Sequence, residues 1–213
     1  MDAKNKISGI SAFAWALLTL SGFVMTVLVA SILNYDIYDI QGGLRVLSEQ
    51  PALVIGRQIV FGWAGVVLVL MALAFYDWLP AESRSYTARA ATAFGIIAGA
   101  LFLSFGLVGG FASLDLAYIQ SVRSAAYMQD AYLPLTLVMN RALAAAIIVS
   151  GLWFALANWV ALRSRALPQL VAYVGLGAGV IALSGFVLPE LTLLGLLLSA
   201  LWGILAGFRL LRG

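Results

Sequence analysis

The stretch LTLVMNRALAAAIIVSG (135–151) is apolar almost throughout, yet it carries a guanidinium at Arg141. Such a charge is either a working group inside a membrane or a marker of where the membrane ends. The residues that follow decide between these. From 142 to 162 there is no charged residue, and at about 1.5 Å per residue this run makes roughly 31 Å of helix. A bilayer core is about 30 Å thick. The stretch therefore reads as the entry of a membrane-crossing helix, with Arg141 at the boundary and its head snorkelling to water. Arg57 stands in the same relation to the uncharged run 58–76, roughly 28 Å of helix.

Composition places the whole chain in the same solvent. The 213 residues are 63% hydrophobic and 10% charged, with a mean hydropathy of +1.04. A soluble domain carries about 25% charged residues, so this chain could not clothe a water-facing surface. Uncharged runs fall at 7–35, 58–76, 90–114, 142–162, 166–189 and 191–208. Strands with open edges do not survive in lipid, so each run is read as helix. The expected fold is all-α: a polytopic membrane protein forming one domain over 1–213. Its six spans are expected at about 8–32, 53–79, 88–111, 135–162, 168–188 and 190–211. The first uncharged run is about twice as long as a signal-peptide core and is read as a retained signal anchor.

Lys and Arg set the expected orientation. Lys4, Lys6, Arg84, Arg89, Arg163, Arg165, Arg209 and Arg212 fall on one side, against Arg45, Arg57, Arg123 and Arg141 on the other. Both termini are accordingly expected in the cytoplasm, with the protein in the cell (inner) membrane. Asp36, Asp39, Glu49, Asp115, Asp130 and Glu190 then lie outside, and Asp2, Asp77 and Glu82 inside.

Two outer segments, 33–52 and 112–134, are long for connections and suggest structure of their own. The first is expected to turn at Gly42-Gly43 and to form a short helix before Pro51. The second carries Leu114, Ala117, Ile119, Val122 and Ala126 near helical spacing and is expected to lie as an amphipathic helix on the outer surface. Tyr118, Tyr127 and Tyr132 suit the water–lipid interface. Gly95/Gly99, Gly106/Gly110, Gly175/Gly179 and Gly203/Gly207 are each four apart, a spacing that brings helices together within a bundle. Gln58, Ser104, Asn140, Ser150, Asn158 and Ser184 are expected to hydrogen-bond between helices. The tryptophans 15, 63, 78, 153, 159 and 202 are expected at the lipid interface or in packing, with Trp78, Trp159 and Trp202 in the cytoplasmic half.

The segment GLWFALANWVALRSRALPQLVAYVGLGAGVIAL (151–183) contains the turn Arg163-Ser164-x-x-Leu167-Pro168, then Leu176-Gly177-x-Gly179 in a Gly-rich helix. With LSEQPALVIGRQIV (47–60), this pattern resembles a bacterial family of six-helix membrane proteins known as domain of unknown function number 4386. Arg165 stands where that pattern leads one to expect a small residue. The resemblance implies a fold and a location and supplies no reaction.

The side-chain inventory excludes many chemistries. There is no cysteine and no histidine, which removes thiol nucleophiles, Cys-ligated metals, bis-histidine haem and a histidine base. No metal site and no cofactor is expected. Catalytic carboxylate pairs, phosphate loops and nucleic-acid motifs are likewise missing from the sequence. Arg57 and Arg141 lie on the side that the positive-inside rule disfavours, so a compensating acid is expected. Glu190, at the outer start of the sixth helix, is the candidate. Asp115 and Asp130 flank the outer segment. An Arg57–Arg141–Glu190 cluster would serve either as a structural ion pair or as a site for an anionic headgroup or a quinone-like carbonyl. Arg57-Gln58 and Asn140-Arg141 also match in composition and depth, which suggests a shared polar patch. The leading expectation is a protein without catalysis: an accessory subunit, or a module that binds lipid or another hydrophobic ligand. Its partners would be membrane lipids and other membrane subunits. A small-solute transporter or channel with Arg57 and Arg141 at its mouth is the alternative.

Overall fold

Hydrocarbon offers no hydrogen-bond partner to a backbone amide, so an apolar chain of this kind satisfies its own backbone along each segment. The computed structural model describes residues 3–33, 40–120 and 125–212, and these contain seven α-helices and no strand. They are α1 (Ala3–Ile32), α2 (Ile40–Glu49), α3 (Pro51–Trp78), α4 (Tyr86–Gln120), α5 (Ala125–Arg163), α6 (Gln169–Ser184) and α7 (Glu190–Arg212). Asp2, Asp36, Asp39 and Arg123, which entered the charge count, lie outside the described residues.

Helix ends follow local chemistry. Pro51 opens α3, where its missing N–H costs nothing. Glu190 sits in the first turn of α7 and Arg209 and Arg212 in its last, matching the helix dipole at both ends. At the end of α5, Ala166 N–H donates to the Ala161 carbonyl at 3.0 Å and Arg165 N–H to that of Leu162 at 3.3 Å. Arg165 has φ 54°. This is the left-handed helix stop that favours glycine, and it explains why a small residue would be at home there. Leu167 is then buried and Pro168 leads into α6.

Five helices, Asn5–Ile32, Pro51–Trp78, Tyr86–Ile119, Tyr132–Arg163 and Glu190–Arg212, are long and apolar enough to cross a membrane. The helix expected at 168–188 is shorter. α6 has 16 residues, roughly 24 Å, and stops at Ser184. Val187 and Leu188 N–H groups both donate to the Ser184 carbonyl, at 3.0 and 2.9 Å, closing a turn ahead of Pro189. An apolar run shows no such stop, because turn and helix are equally hydrophobic there.

Two other expectations are corrected. Gly42-Gly43 is not a turn but part of α2, where Gly43 faces the Tyr132 ring so closely that a Cβ would collide with it. Residues 112–120 continue α4 and 125–134 belong to α5, so the described residues form no separate surface helix here, and Val122 of the expected set lies outside them. Of the spaced residues, Leu114 is exposed, while Ala117 and Ile119 pack against a cluster of Leu116 with Leu44 and Leu47 of α2; Leu116 is not one of them.

The six longer helices pack as a closed ring: α1 on α3, α3 on α4, α4 on α5, α5 on α6, α6 on α7, and α7 back on α1. The α3–α4 seam is tight because glycine faces glycine. A Cβ on Gly106 would meet the Gln58 carbonyl at 2.7 Å, and one on Gly62 would lie 3.2 Å from the Gly106 Cα.

The middle of the ring is filled with aromatic rings. Trp15, Phe61, Phe102, Phe105, Trp153, Phe154 and Trp202 are fully buried. Trp15 meets Phe102 at 5.7 Å, Trp153 meets Trp202 at 5.7 Å, and Phe154 meets Trp202 at 5.3 Å between centroids, all edge-on. Such pairs contribute about 0.5–1.5 kcal/mol each beyond their burial. Trp202 therefore belongs to the core and not to an aromatic belt, while Trp63 and Trp159 are exposed. Its indole donates to Asn158 Oδ1 at 2.7 Å, and the Trp15 indole to Ser199 Oγ at 3.2 Å.

Candidate functional site

Arg57 and Gln58 sit two turns into α3, and Asn140 and Arg141 lie on α5. These pairs, matched in the sequence, line one cavity of about 900 Å³. That is at the upper end of the roughly 300–1,000 Å³ range of ligand sites. Its walls are apolar for the most part: Val29 and Leu33 of α1, Val46 and Leu47 of α2, Leu116 of α4, and Leu135, Met139, Leu143 and Ile147 of α5. Thr26, Ser113, Tyr132 and Thr136 add hydroxyls.

α2 roofs this end of the ring. Its cavity-lining residues Gly43, Val46 and Leu47 are all buried. Among the described residues, the exposed ones lining the cavity are Arg141, Ala145, Phe186 and Pro189. All four belong to α5 or to the turn between α6 and α7. The cavity therefore opens sideways, through the gap left where α6 stops short. Phe186 lines this opening and is 82% exposed, and Val187 and Leu188 after it in the same turn are 77% and 53% exposed.

Two polar atoms inside are left without partners. Gln58 is only 3% exposed. Its Nε2 donates to Ser113 Oγ at 2.9 Å, while Oε1 is buried with no hydrogen-bond partner. Turning the amide over exchanges the roles of its two atoms and still leaves one unpaired. Arg57 Nε is also buried without a partner. The Tyr132 phenol lines the same cavity. A buried, unpaired polar group costs about 1–3 kcal/mol, and an uncompensated charge costs several.

The expected acids do not reach this place. Glu190 is exposed on the first turn of α7 and is not part of the cavity lining. Among the described residues, no ion pair joins it to Arg57 or Arg141. Asp115 and Asp130 are also exposed. The structure thus brings Arg57 and Arg141 together on one cavity, and among the described residues Glu190, the carboxylate expected between them, does not line it. Among the described residues, no cluster of Asp and Glu could hold a metal ion.

Of the remaining polar residues, Asn158 bonds across helices to Trp202 and Gln58 to Ser113. Ser150 and Ser184 turn back to carbonyls of their own helices. Tyr132 and Thr136 were missed as cavity residues, although both sit within three turns of Arg141 on α5. A smaller recess of about 300 Å³ at the opposite end contains Arg163 and Glu82. There the Arg163 guanidinium already lies over the Trp159 ring, 4.6 Å from its centroid.

No family model, no curated protein and no solved structure matches this chain. The cavity must be interpreted from its own geometry.

If the Gln58 amide is kept for a ligand and not for the fold, Gln58→Leu should leave the thermal midpoint of the delipidated protein unchanged or raise it. A drop of several degrees would instead make the Gln58–Ser113 bond structural.

Proposed function

We propose that this chain is a non-catalytic integral membrane protein that holds a hydrophobic ligand in the cavity beneath α2. The observation that carries the reading is the pairing of that cavity with the aromatic core below it. The void is large, mostly apolar and served by a few unpaired polar groups, which is the general character of a small-molecule site. Beneath it, seven fully buried aromatic side chains occupy the axis of the ring. A channel needs a continuous wet path, and this core opposes one. Ligand binding is therefore favoured over the transporter alternative. Of the two roles expected from the residues, lipid-binding module and accessory subunit, the cavity speaks to the first.

In the proposed arrangement all six longer helices cross the cell membrane, α6 only just, and both termini face the cytoplasm. The cavity and α2 then lie at the outer side. The distribution of Lys and Arg supports this orientation. The resemblance to the six-helix family of unknown function agrees with it and adds no reaction.

Two experiments test the reading. Native mass spectrometry of the protein released from mild detergent should find a lipid-sized adduct near one per chain. Ala144→Trp, which fills the cavity from α5, should remove the adduct while the protein stays folded. An adduct that persists in a folded Ala144→Trp protein would place the ligand elsewhere. For orientation, the absence of native cysteine allows single probes at Ser48 and Glu82. An impermeant thiol reagent should label Ser48→Cys on intact cells and Glu82→Cys only after the membrane is opened. The reverse pattern would invert the topology.

A further inference from the structure

The cavity's charge and the position of its opening say more than that it is apolar. Two arginines face the same space, and among the described residues the acids at this end of the bundle, Glu49, Asp115, Asp130 and Glu190, are all exposed. Like charges around an apolar void repel one another unless an anion lies between them. A neutral carbonyl would accept a hydrogen bond from Arg57 Nε but would leave both charges uncompensated. A carboxylate or phosphate would do both. With the Gln58 amide turned over, so that its Oε1 accepts from the Ser113 hydroxyl, its Nε2 would donate to a further oxygen of the same group.

The opening adds the direction of entry. α2 closes the end of the ring, and the exposed lining residues sit on the side, between α5 and the α6–α7 turn. The turn itself is apolar and exposed at Phe186, Val187 and Leu188. A water-soluble anion would have to pass an apolar rim. A lipid-like molecule would slide along it, with its head drawn to Arg141 at the opening.

Building on the ligand-binding reading above, we propose that the ligand is an amphiphile with an anionic oxyacid head. It enters sideways from the outer leaflet, its head held by Arg57, Arg141 and the Gln58 amide and its chain lying against α5.

The test uses the full-length protein in an uncharged detergent and four probes: hexadecanoate, hexadecyl phosphate, hexadecanol and inorganic phosphate. At least one of the two acidic amphiphiles should bind about tenfold or more tighter than hexadecanol, the scale expected of a hydrogen bond to a charged group. Whichever acid binds better identifies the head as carboxylate or phosphate. Arg57→Gln and Arg141→Gln should each weaken binding of the acids more than that of hexadecanol and so lower the preference. Arg57→Lys, which keeps the charge, should retain the preference and guards against a misfolded Arg57→Gln protein. Equal binding of hexadecanol, or a preference surviving the double Gln variant, would overturn the anionic head while sparing the hydrophobic cavity. Competition by inorganic phosphate at equal concentration would replace the amphiphile with a free anion. Failure of all three amphiphiles to bind would remove the cavity reading itself.

Discussion

Six helices packed in a ring leave a hole along the axis, and the aromatic side chains from Trp15 to Trp202 are what fills it. Lipid provides no hydrophobic drive for helices to associate, so close packing has to hold them. Large rings in the middle supply contact area, and small residues at the seams let the backbones come near enough for the rings to touch. The two requirements are linked. Gly62 and Gly106 draw α3 and α4 together, and Phe61 stacks on Phe102 across that seam at 6.0 Å. Of the polar groups in the core, Asn158 and Ser199 accept from the Trp202 and Trp15 indoles, while Thr19 and Ser150 turn back to carbonyls of their own helices.

That economy makes the other end of the ring conspicuous. Under α2 the packing stops, and Arg57 and Gln58 keep unpaired atoms in an apolar space. A protein that satisfies Asn158, Trp15 and Trp202 within its core has the means to satisfy Gln58. Leaving it unpaired beside the buried Nε of Arg57 is the pattern of a site that trades stability for recognition. The short α6 belongs to the same design, since a full-length helix there would close the side on which the cavity's lining residues are exposed.

Much of this is legible in the sequence, and the failures have a common physical cause. Depth along the membrane normal can be counted from uncharged runs, which is why the residues alone match Arg57-Gln58 with Asn140-Arg141. Position around the ring cannot be counted. Pro189 and Thr192 on either side of Glu190 line the cavity, but Glu190 itself is exposed and outside the lining, so a similar depth does not turn it to the arginines. Helix ends inside apolar segments are equally hidden. The stop at Ser184 depends on a turn as hydrophobic as the helix before it, and α4 runs past 111 because α2 is there to cover Leu116. Gly42-Gly43 reads as a turn because glycine signals both bending and close approach, and here it serves the second.

The central claim is that a ligand completes the cavity. A high-resolution structure of the protein in a lipid bilayer tests it most directly. The account predicts elongated non-protein density along α5, with its head within hydrogen-bonding distance of Arg57 Nε and the Gln58 amide and its tail emerging between Ala145 and Phe186. A cavity filled only by ordered water, continuous past Trp15 and Trp153 to the opposite end of the ring, would contradict it and point to a conduit.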